Sequence, residues 1–263
     1  MIKAIFFDLD NTLLWDDKSV AEAFKATCLL AEEKYGVSPK VLEKKVRKHA
    51  RDLYATYETY PFTQMIGINP FEGLWGDFAD KGENFRKLKE LAPAYRKEAW
   101  TKGLQDVGIN DTVFGEVLAE RFPIERKKHP YVYPGTFEVL DKLKEKYQLL
   151  LITNGSPDLQ QTKLRITPEL APYFDHIVVS GAFGKGKPDP AIFAHALGLL
   201  SALKDEVIMV GDNLMTDILG ASRVGMLSAW VNRHHQEKTE VVPTYEIADL
   251  EELLPIIEQA NKK

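Results

Sequence analysis

The first clear pattern along the chain is a short unbroken apolar run, Ala4 to Phe7, that ends in two aspartates one residue apart, Asp8 and Asp10. An apolar run without alternation is what a strand covered on both faces shows. Four further runs resemble it: "QLLLITNG" (Gln148 to Gly155), "HIVVSG" (His176 to Gly181), "EVIMVGDN" (Glu206 to Asn213) and "LSAWVN" (Leu227 to Asn232). Each has strand length and closes on small or polar residues. Helical spacing separates them. Phe137, Leu140 and Leu143 share one face, as do Ile192, Phe193, Ala196 and Leu200. Another helix is expected near Met215 and a last one from Asp249, where Pro255 predicts a kink or a later start. Strands alternating with helices predict βαβ units and therefore an α/β fold built on a doubly wound parallel sheet.

From about Trp15 to Pro130 the alternation stops, and only helical patterns remain. Asp17 or Ser19 is a candidate cap for a helix ending at Gly36, and Ser38 with Pro39 for one continuing through Tyr60. Two more are expected over roughly Phe85 to Leu104 and Thr112 to Arg121. An all-helical insertion directly after the first strand predicts a separate lid, hinged near Leu14 to Asp17 and near His129 to Pro134.

Composition narrows the classes of function. The net charge of −5 disfavours a general nucleic-acid binder. The lone cysteine, Cys28, cannot form an intramolecular disulfide and has no zinc-ligand spacing around it. No apolar run approaches a membrane span and the start shows no secretion signal, so a cytoplasmic protein without membrane partners is expected. Oligomeric state stays open. The basic run Lys44 to Arg51 is expected to be a solvated helix face, and His234 with His235 to be loop residues.

The polar strand ends form a set. Asp8, Asp10, Thr153, Asn154, Ser180, Asp212 and Asp217 converge on one crevice if the sheet is parallel, with Lys187 in reach. Two like charges about 4 Å apart repel by roughly 4 kcal/mol at an effective dielectric of 20, so several carboxylates together call for a cation. Oxygen ligands, few from protein, favour Mg²⁺.

"DLDNT" (Asp8 to Thr12), "ITNG" (Ile152 to Gly155), "KGKPDPAIF" (Lys185 to Phe193) and "GDNLMTD" (Gly211 to Asp217) resemble, in order, the four motifs of the haloacid dehalogenase superfamily. The resemblance implies a Rossmann-like core from residues 1–15 and 131–263, with residues 16–130 as a helical cap. It implies Asp8 as nucleophile and Asp10 as acid and base. It also implies Mg²⁺ on Asp8, the Asp10 carbonyl and Asp212, and phosphate contacts from Thr153, Lys187 and the backbone N–H groups of Asn154 and Gly155. Asp217 is expected to orient Lys187 or bound water. Because members that displace halide have no use for an acid at position 10, Asp10 points to phosphoester hydrolysis, with phosphoryl transfer and a non-catalytic role as alternatives.

A long lid predicts a small phosphorylated metabolite as substrate. "MIGINPFEGLW" (Met65 to Trp75) and "FGKGKPDPAIF" (Phe183 to Phe193) are similar to large-cap bacterial members with ascribed phosphoserine phosphatase activity, implying O-phosphoserine. Phosphoglycolate, sugar phosphates and nucleotides are the competing substrates. Arg51, Glu58, Glu72 and Arg86 are the candidate cap groups for a zwitterion.

Overall fold

A computed structural model describes residues 1–237 and 240–262. The elements are β1 (Ala4–Phe7), α1 (Asp16–Tyr35), α2 (Pro39–Tyr54), α3 (Tyr60–Ile66), α4 (Pro70–Gly73), α5 (Glu83–Gln105), α6 (Thr112–Lys128) and α7 (Thr136–Lys144). They continue with β2 (Gln148–Thr153), α8 (Pro157–Ile166), β3 (His176–Val179), α9 (Ser180–Phe183), α10 (Pro190–Leu200) and β4 (Val207–Gly211). The last are α11 (Leu219–Val224), β5 (Leu227–Val231), β6 (Tyr245–Ile247) and α12 (Leu253–Ala260). They fall into two compact units: Met1–Trp15, Val132–Gly155 and Thr167–Lys263 form the first, Asp16–Tyr131 and Ser156–Ile166 the second.

The first unit is an α/β domain around a parallel sheet of order β3-β2-β1-β4-β5-β6. All four residues of β1 are completely buried, as its unbroken apolar run requires. Phe6 packs with Leu150, Ile152, Val178, Met209 and the α10 residues Ile192, Phe193 and Ala196. Strand order runs outward from β1 through β2 to β3, then restarts on its other side at β4. That reversal between β1 and β4 is the switch point where open α/β sheets bind ligands, beyond the carboxyl ends of the strands.

The second unit is built of helices and loops, with no strand among its described residues. Helix α1 packs on α2 and α6, and α5 on the same two, around Phe24, Trp75, Trp100 and Phe122. Gly103 lets α2 and α5 approach, since a Cβ there would collide with Val46. Segment Ser156–Ile166, left in the core by the sequence reading, belongs with this unit. Asp80 accepts from Ser156 Oγ (2.5 Å) and Asp158 N–H (2.8 Å), and Leu159 joins the same apolar cluster.

Several boundaries differ from expectation, each for a local reason. Helix α1 begins at Asp16, so neither Asp17 nor Ser19 caps it, and Ser38 occupies the cap position of α2 without a side-chain bond. Helix α2 ends at Tyr54. Pro61 sits in the first turn of a separate helix, α3, where its missing N–H is tolerated. Helix α6 runs past Arg121 and through Pro123 to Lys128, with Phe122 fully buried beside the break. Pro255 lies in the first turn of α12, after a short 3₁₀ turn at Leu250–Glu252, so the later start is the one realised. Strand β6 was not anticipated, because three edge residues are too few to show a period.

The basic run on α2 is largely neutralised at the surface. Arg47 pairs with Glu43, Lys48 with Asp52, and Lys45 and His49 with Asp106. Among the described residues, no helix is long and apolar enough to cross a membrane.

Candidate active site

Sheet geometry delivers two carboxylates to the switch point. Asp8 directly follows β1, its N–H extending the ladder to Val210 O at 2.9 Å, and Asp212 directly follows β4. Asp217 reaches the same place from a single π-helical turn, Leu214–Ile218, opened by Asn213, whose side chain accepts from Met215 N–H at 2.9 Å. One oxygen from each of Asp8, Asp212 and Asp217 lies within 4.8 Å of the others. His234 and His235 are exposed and take no part in that cluster. Asp10 is half-buried in the turn after β1, and its carboxylate is not one of the three.

Among the described residues, one lysine is in direct contact with these charges. Lys187, 4 % exposed, places Nζ 2.6 Å from Asp8 Oδ1, 2.7 Å from Asp217 Oδ1 and 2.8 Å from the Ile152 carbonyl oxygen. Burial works against its charge, but Asp217 and Asp8 together overcome it and hold the ammonium above its usual range. For Asp8 the balance goes the other way. Desolvation outweighs Lys187, and with Asp217 adding repulsion the carboxyl is raised to about 7. Burial, then Asp8 and Asp217, likewise raise Asp212 well above its ordinary value.

The implied phosphate contact of Asn154 is its backbone N–H, and its side chain has a separate part in the site. Its side-chain oxygen accepts from the Lys187 N–H (2.8 Å) and its amide donates to the Lys187 carbonyl (2.9 Å), so the side chain frames the lysine backbone. The Gly155 N–H, expected to reach phosphate, donates instead to Ser180 Oγ at 2.8 Å. Thr153 ends β2 and is 1 % exposed.

Three bracing groups were not assigned from sequence. Thr12 Oγ1 donates to Asp8 Oδ2 (3.0 Å), lies 3.3 Å from Asp212 Oδ1 and accepts the Asp212 N–H (3.1 Å), tying the two strand ends together. Trp230 Nε1 donates to the Asp212 carbonyl at 2.8 Å. Gly211 is the third: a Cβ there would lie 2.6 Å from Asp217 Cβ and closer still to its carboxylate. Thr12 and Gly211 stand inside the quoted motifs and were within reach, whereas Trp230 has no local signal.

Residues 2–225 match the haloacid dehalogenase-like hydrolase family. The chain belongs to this family. Over 254 residues it is 33 % identical to the phosphoserine phosphatase of Thermus thermophilus, covering 96 % of this chain and 98 % of that protein. It is 38 % identical over 206 residues to the pyrimidine 5′-nucleotidase YjjG of Escherichia coli, covering 77 % and 84 %. The fold superimposes on the magnesium-bound crystal structure of the putative HAD-hydrolase YfnB of Bacillus subtilis with a TM-score of 0.68, at 21 % identity and with 97 % and 98 % of the chains covered. This member of the haloacid dehalogenase-like hydrolases is a phosphatase.

Proposed function

We propose that this phosphatase hydrolyses a small phosphomonoester through an aspartyl phosphate on Asp8, with O-phosphoserine as the first substrate to test. The observation that carries the reading is the Asp8 carboxylate itself. It is buried at the exit of the central strand and held on one oxygen by Lys187 and on the other by Thr12. A carboxylate so fixed is oriented for in-line attack.

The donor set fits a divalent cation. Three carboxylates, were all ionised, would outnumber the one ammonium in a buried space, and burial first, with mutual repulsion added, raises Asp8 and Asp212 until a cation is there to hold them ionised. All the side-chain donors are hard oxygens, which suits Mg²⁺. Asp8 and Asp212, with the Asp10 carbonyl, would hold it, while Asp217 is spent on Lys187 and the Asn213 N–H. When bound, the ion would offset the repulsion between carboxylate and phosphate.

The chemistry of the chain's own groups then follows. The Asp8 carboxylate bonds to phosphorus as the phosphorus–oxygen bond to the alcohol breaks, and the Asp10 carboxylic acid gives the departing oxygen its proton. Asp10, now ionised, takes a proton from the water that attacks the aspartyl phosphate. Phosphate leaves and Asp8 is restored. Lys187 stabilises negative charge at the attacked centre throughout, and Thr153 stands at the same strand ends to bind phosphate oxygens.

O-phosphoserine is supported by the 33 % identical relative that carries that name over nearly the whole chain. The second reading, a nucleoside monophosphate, is supported by the nucleotidase relative. Three of the cap groups first considered are engaged within their own unit. Glu72 pairs with Lys163 at 2.8 Å, Glu58 with Lys87 at 3.0 Å and Arg86 with Glu90 at 2.8 Å. Phosphate release from O-phosphoserine, phosphoglycolate, sugar phosphates and nucleoside monophosphates, with Mg²⁺ and with EDTA, tests the proposal. Metal-dependent release with phosphoserine among the best substrates by kcat/KM is expected. A strong preference for another ester would replace the substrate, and an active Asp8→Asn variant would remove the nucleophile.

A further inference from the structure

Beyond the reacting groups, the turn that follows β5 carries an arginine whose whole fork is directed at the nucleophile loop. Arg233 Nη1 donates to the Asn11 carbonyl at 2.8 Å and Nη2 to the Thr12 carbonyl at 3.1 Å. Its guanidinium carbon stands 3.6 Å from the centre of the Tyr133 ring, and that ring stacks in turn on Trp15 at 5.0 Å with an interplanar angle of 15°. Tyr133 is itself tied to the same loop, its N–H donating to the Leu13 carbonyl at 3.0 Å. Both faces of this assembly therefore close on residues 11–13.

The loop has reason to need such a clamp. Asn11 has φ of +61°, a left-handed conformation that costs a non-glycine residue free energy and that Asn tolerates better than most. The next residue, Thr12, supplies the hydroxyl that joins the Asp8 and Asp212 carboxylates. One planar guanidinium can satisfy two successive carbonyls at once, which a lysine ammonium, a point charge on a flexible stem, cannot reproduce. Arg233 is itself held. Asn232 takes the Gln236 N–H at 2.7 Å, donates to Glu246 at 2.7 Å, and gives its own N–H to Ile247 O at 2.7 Å, so edge strand β6 fixes the turn.

We infer that Arg233 is a positioning residue for the phosphatase reaction, locking the Asn11–Thr12 peptides so that Thr12 presents its hydroxyl to Asp8 and Asp212. The inference rests on the reading of Asp8 as nucleophile. It acts on the rate of the chemical step and not on substrate affinity, because both nitrogens of its fork are spent on the main-chain carbonyls of Asn11 and Thr12.

The test is steady-state hydrolysis of p-nitrophenyl phosphate, or of the best ester from the panel above, at saturating Mg²⁺. The variants are Arg233→Met, Arg233→Lys and Arg233→Ala, with Asp8→Asn as the blank. Misplacing a reacting group by about 1 Å costs on the order of 100-fold, so Arg233→Met and Arg233→Lys are expected to lower kcat by roughly 10- to 100-fold with KM within about threefold of the parent. Methylguanidinium added to Arg233→Ala is expected to restore part of kcat while leaving the parent and Asp8→Asn unchanged. Tyr133→Leu removes the stacked ring and its side-chain hydrogen bond to Arg233 while leaving the arginine's two bonds to the loop carbonyls. It is expected to lower kcat by roughly two- to tenfold, and it carries the test should the arginine variants not fold. A parental kcat in Arg233→Met or Arg233→Lys, a loss confined to KM, or no methylguanidinium rescue would each overturn the clamp. If Asp8→Asn is inactive while Arg233→Met is normal, the clamp alone falls. An active Asp8→Asn brings down the nucleophile and the clamp together.

Discussion

Replacing Gly211 by alanine adds one methyl group to the core, yet its consequences should reach Lys187, the lysine of the proposed site. The new Cβ would stand 2.6 Å from Asp217 Cβ, whereas carbon atoms rest about 3.5–4.0 Å apart, so roughly 1 Å must be opened at this point. Asp217 is the side chain in the way. Its carboxylate holds Lys187 at 2.7 Å, and a retreat of about 1 Å weakens that attraction by roughly 1.5 kcal/mol at an effective dielectric of 20. Overpacking of this size costs a further 1–3 kcal/mol or so, which together makes about 3 kcal/mol. For a chain of this size that is a fall of about 6–12 °C in the first thermal transition. Released on one side, Lys187 no longer meets Asp8 in the same geometry, and kcat should fall by roughly 100-fold. Thermal unfolding followed by circular dichroism, alongside phosphate release, reads both quantities. Gly198→Ala in α10 is the control, because its Cβ would have nothing within 4 Å. It should be neutral or stabilising by about 0.5–1 kcal/mol, as alanine usually is over glycine in a helix. A Gly211→Ala protein with parental kcat and a transition within about 2 °C of the parent would refute the argument that this glycine exists to seat Asp217.

Other perturbations separate the remaining contributions. Thr12→Val keeps the shape but orphans the Asp212 N–H and one Asp8 oxygen, so a loss of about 1–3 kcal/mol in stability and a large fall in kcat are expected, with Thr12→Ser restoring both; denaturant midpoints and initial rates check this. Lys163 and Glu72 form an ion pair with the two residues only 1 % and 5 % exposed, so Lys163→Met should cost about 3–5 kcal/mol. Adding Glu72→Gln should recover at least about 1 kcal/mol by removing the stranded charge, and a double variant worse than the single one would contradict the pairing. Because burial raises Asp8 to about 7, above its unfolded value, ionising it costs folding free energy, and the metal-free protein should lose this contribution to stability as pH rises through 7. Mg²⁺ must displace that proton and the one on Asp212, raised likewise, so its affinity measured by calorimetry should rise between pH 5.5 and 7 by up to about tenfold per unit for each proton displaced; a pH-independent affinity would rule out that linkage.

The sheet was legible because burial on both faces writes itself into sequence as unbroken apolar runs in β1, β2 and β4, while β3, with Ile177 exposed, and β5, interrupted by Ser228, still show strand length and β-branched or aromatic residues. Strand β6 carries no such run, since three residues at an edge need no continuous apolar run. Helix ends were harder. Pro123 reads as a stop for α6, but Phe122 is buried among Phe24 and Trp100, and that packing carries the helix past the missing hydrogen bond. The place of Ser156–Ile166 could not be read at all. Its attachment to the helical unit depends on Asp80 and Glu72, partners more than seventy residues away that no local pattern announces.

The site shows the same division between what reacts and what holds. A group that attacks phosphorus or neutralises its charge must come from a few residue types at a strand exit, so Asp8, Asp10, Asp212 and Lys187 stand out by chemistry and position. A brace is chosen only by whether a donor reaches an acceptor, and any residue type with an N–H or O–H will serve. Thr12, Trp230, Asn154 and Arg233 all brace, through a hydroxyl, an indole, an amide and a guanidinium, from four separate segments. Asn154 illustrates the cost of reading such a residue by motif alone. Its side chain is committed to both polar atoms of the Lys187 backbone, so what it contributes here is the position of the lysine. Variation at these braces should therefore lower kcat while leaving the identity of the reaction unchanged, because they set where the reacting groups stand and not what those groups are.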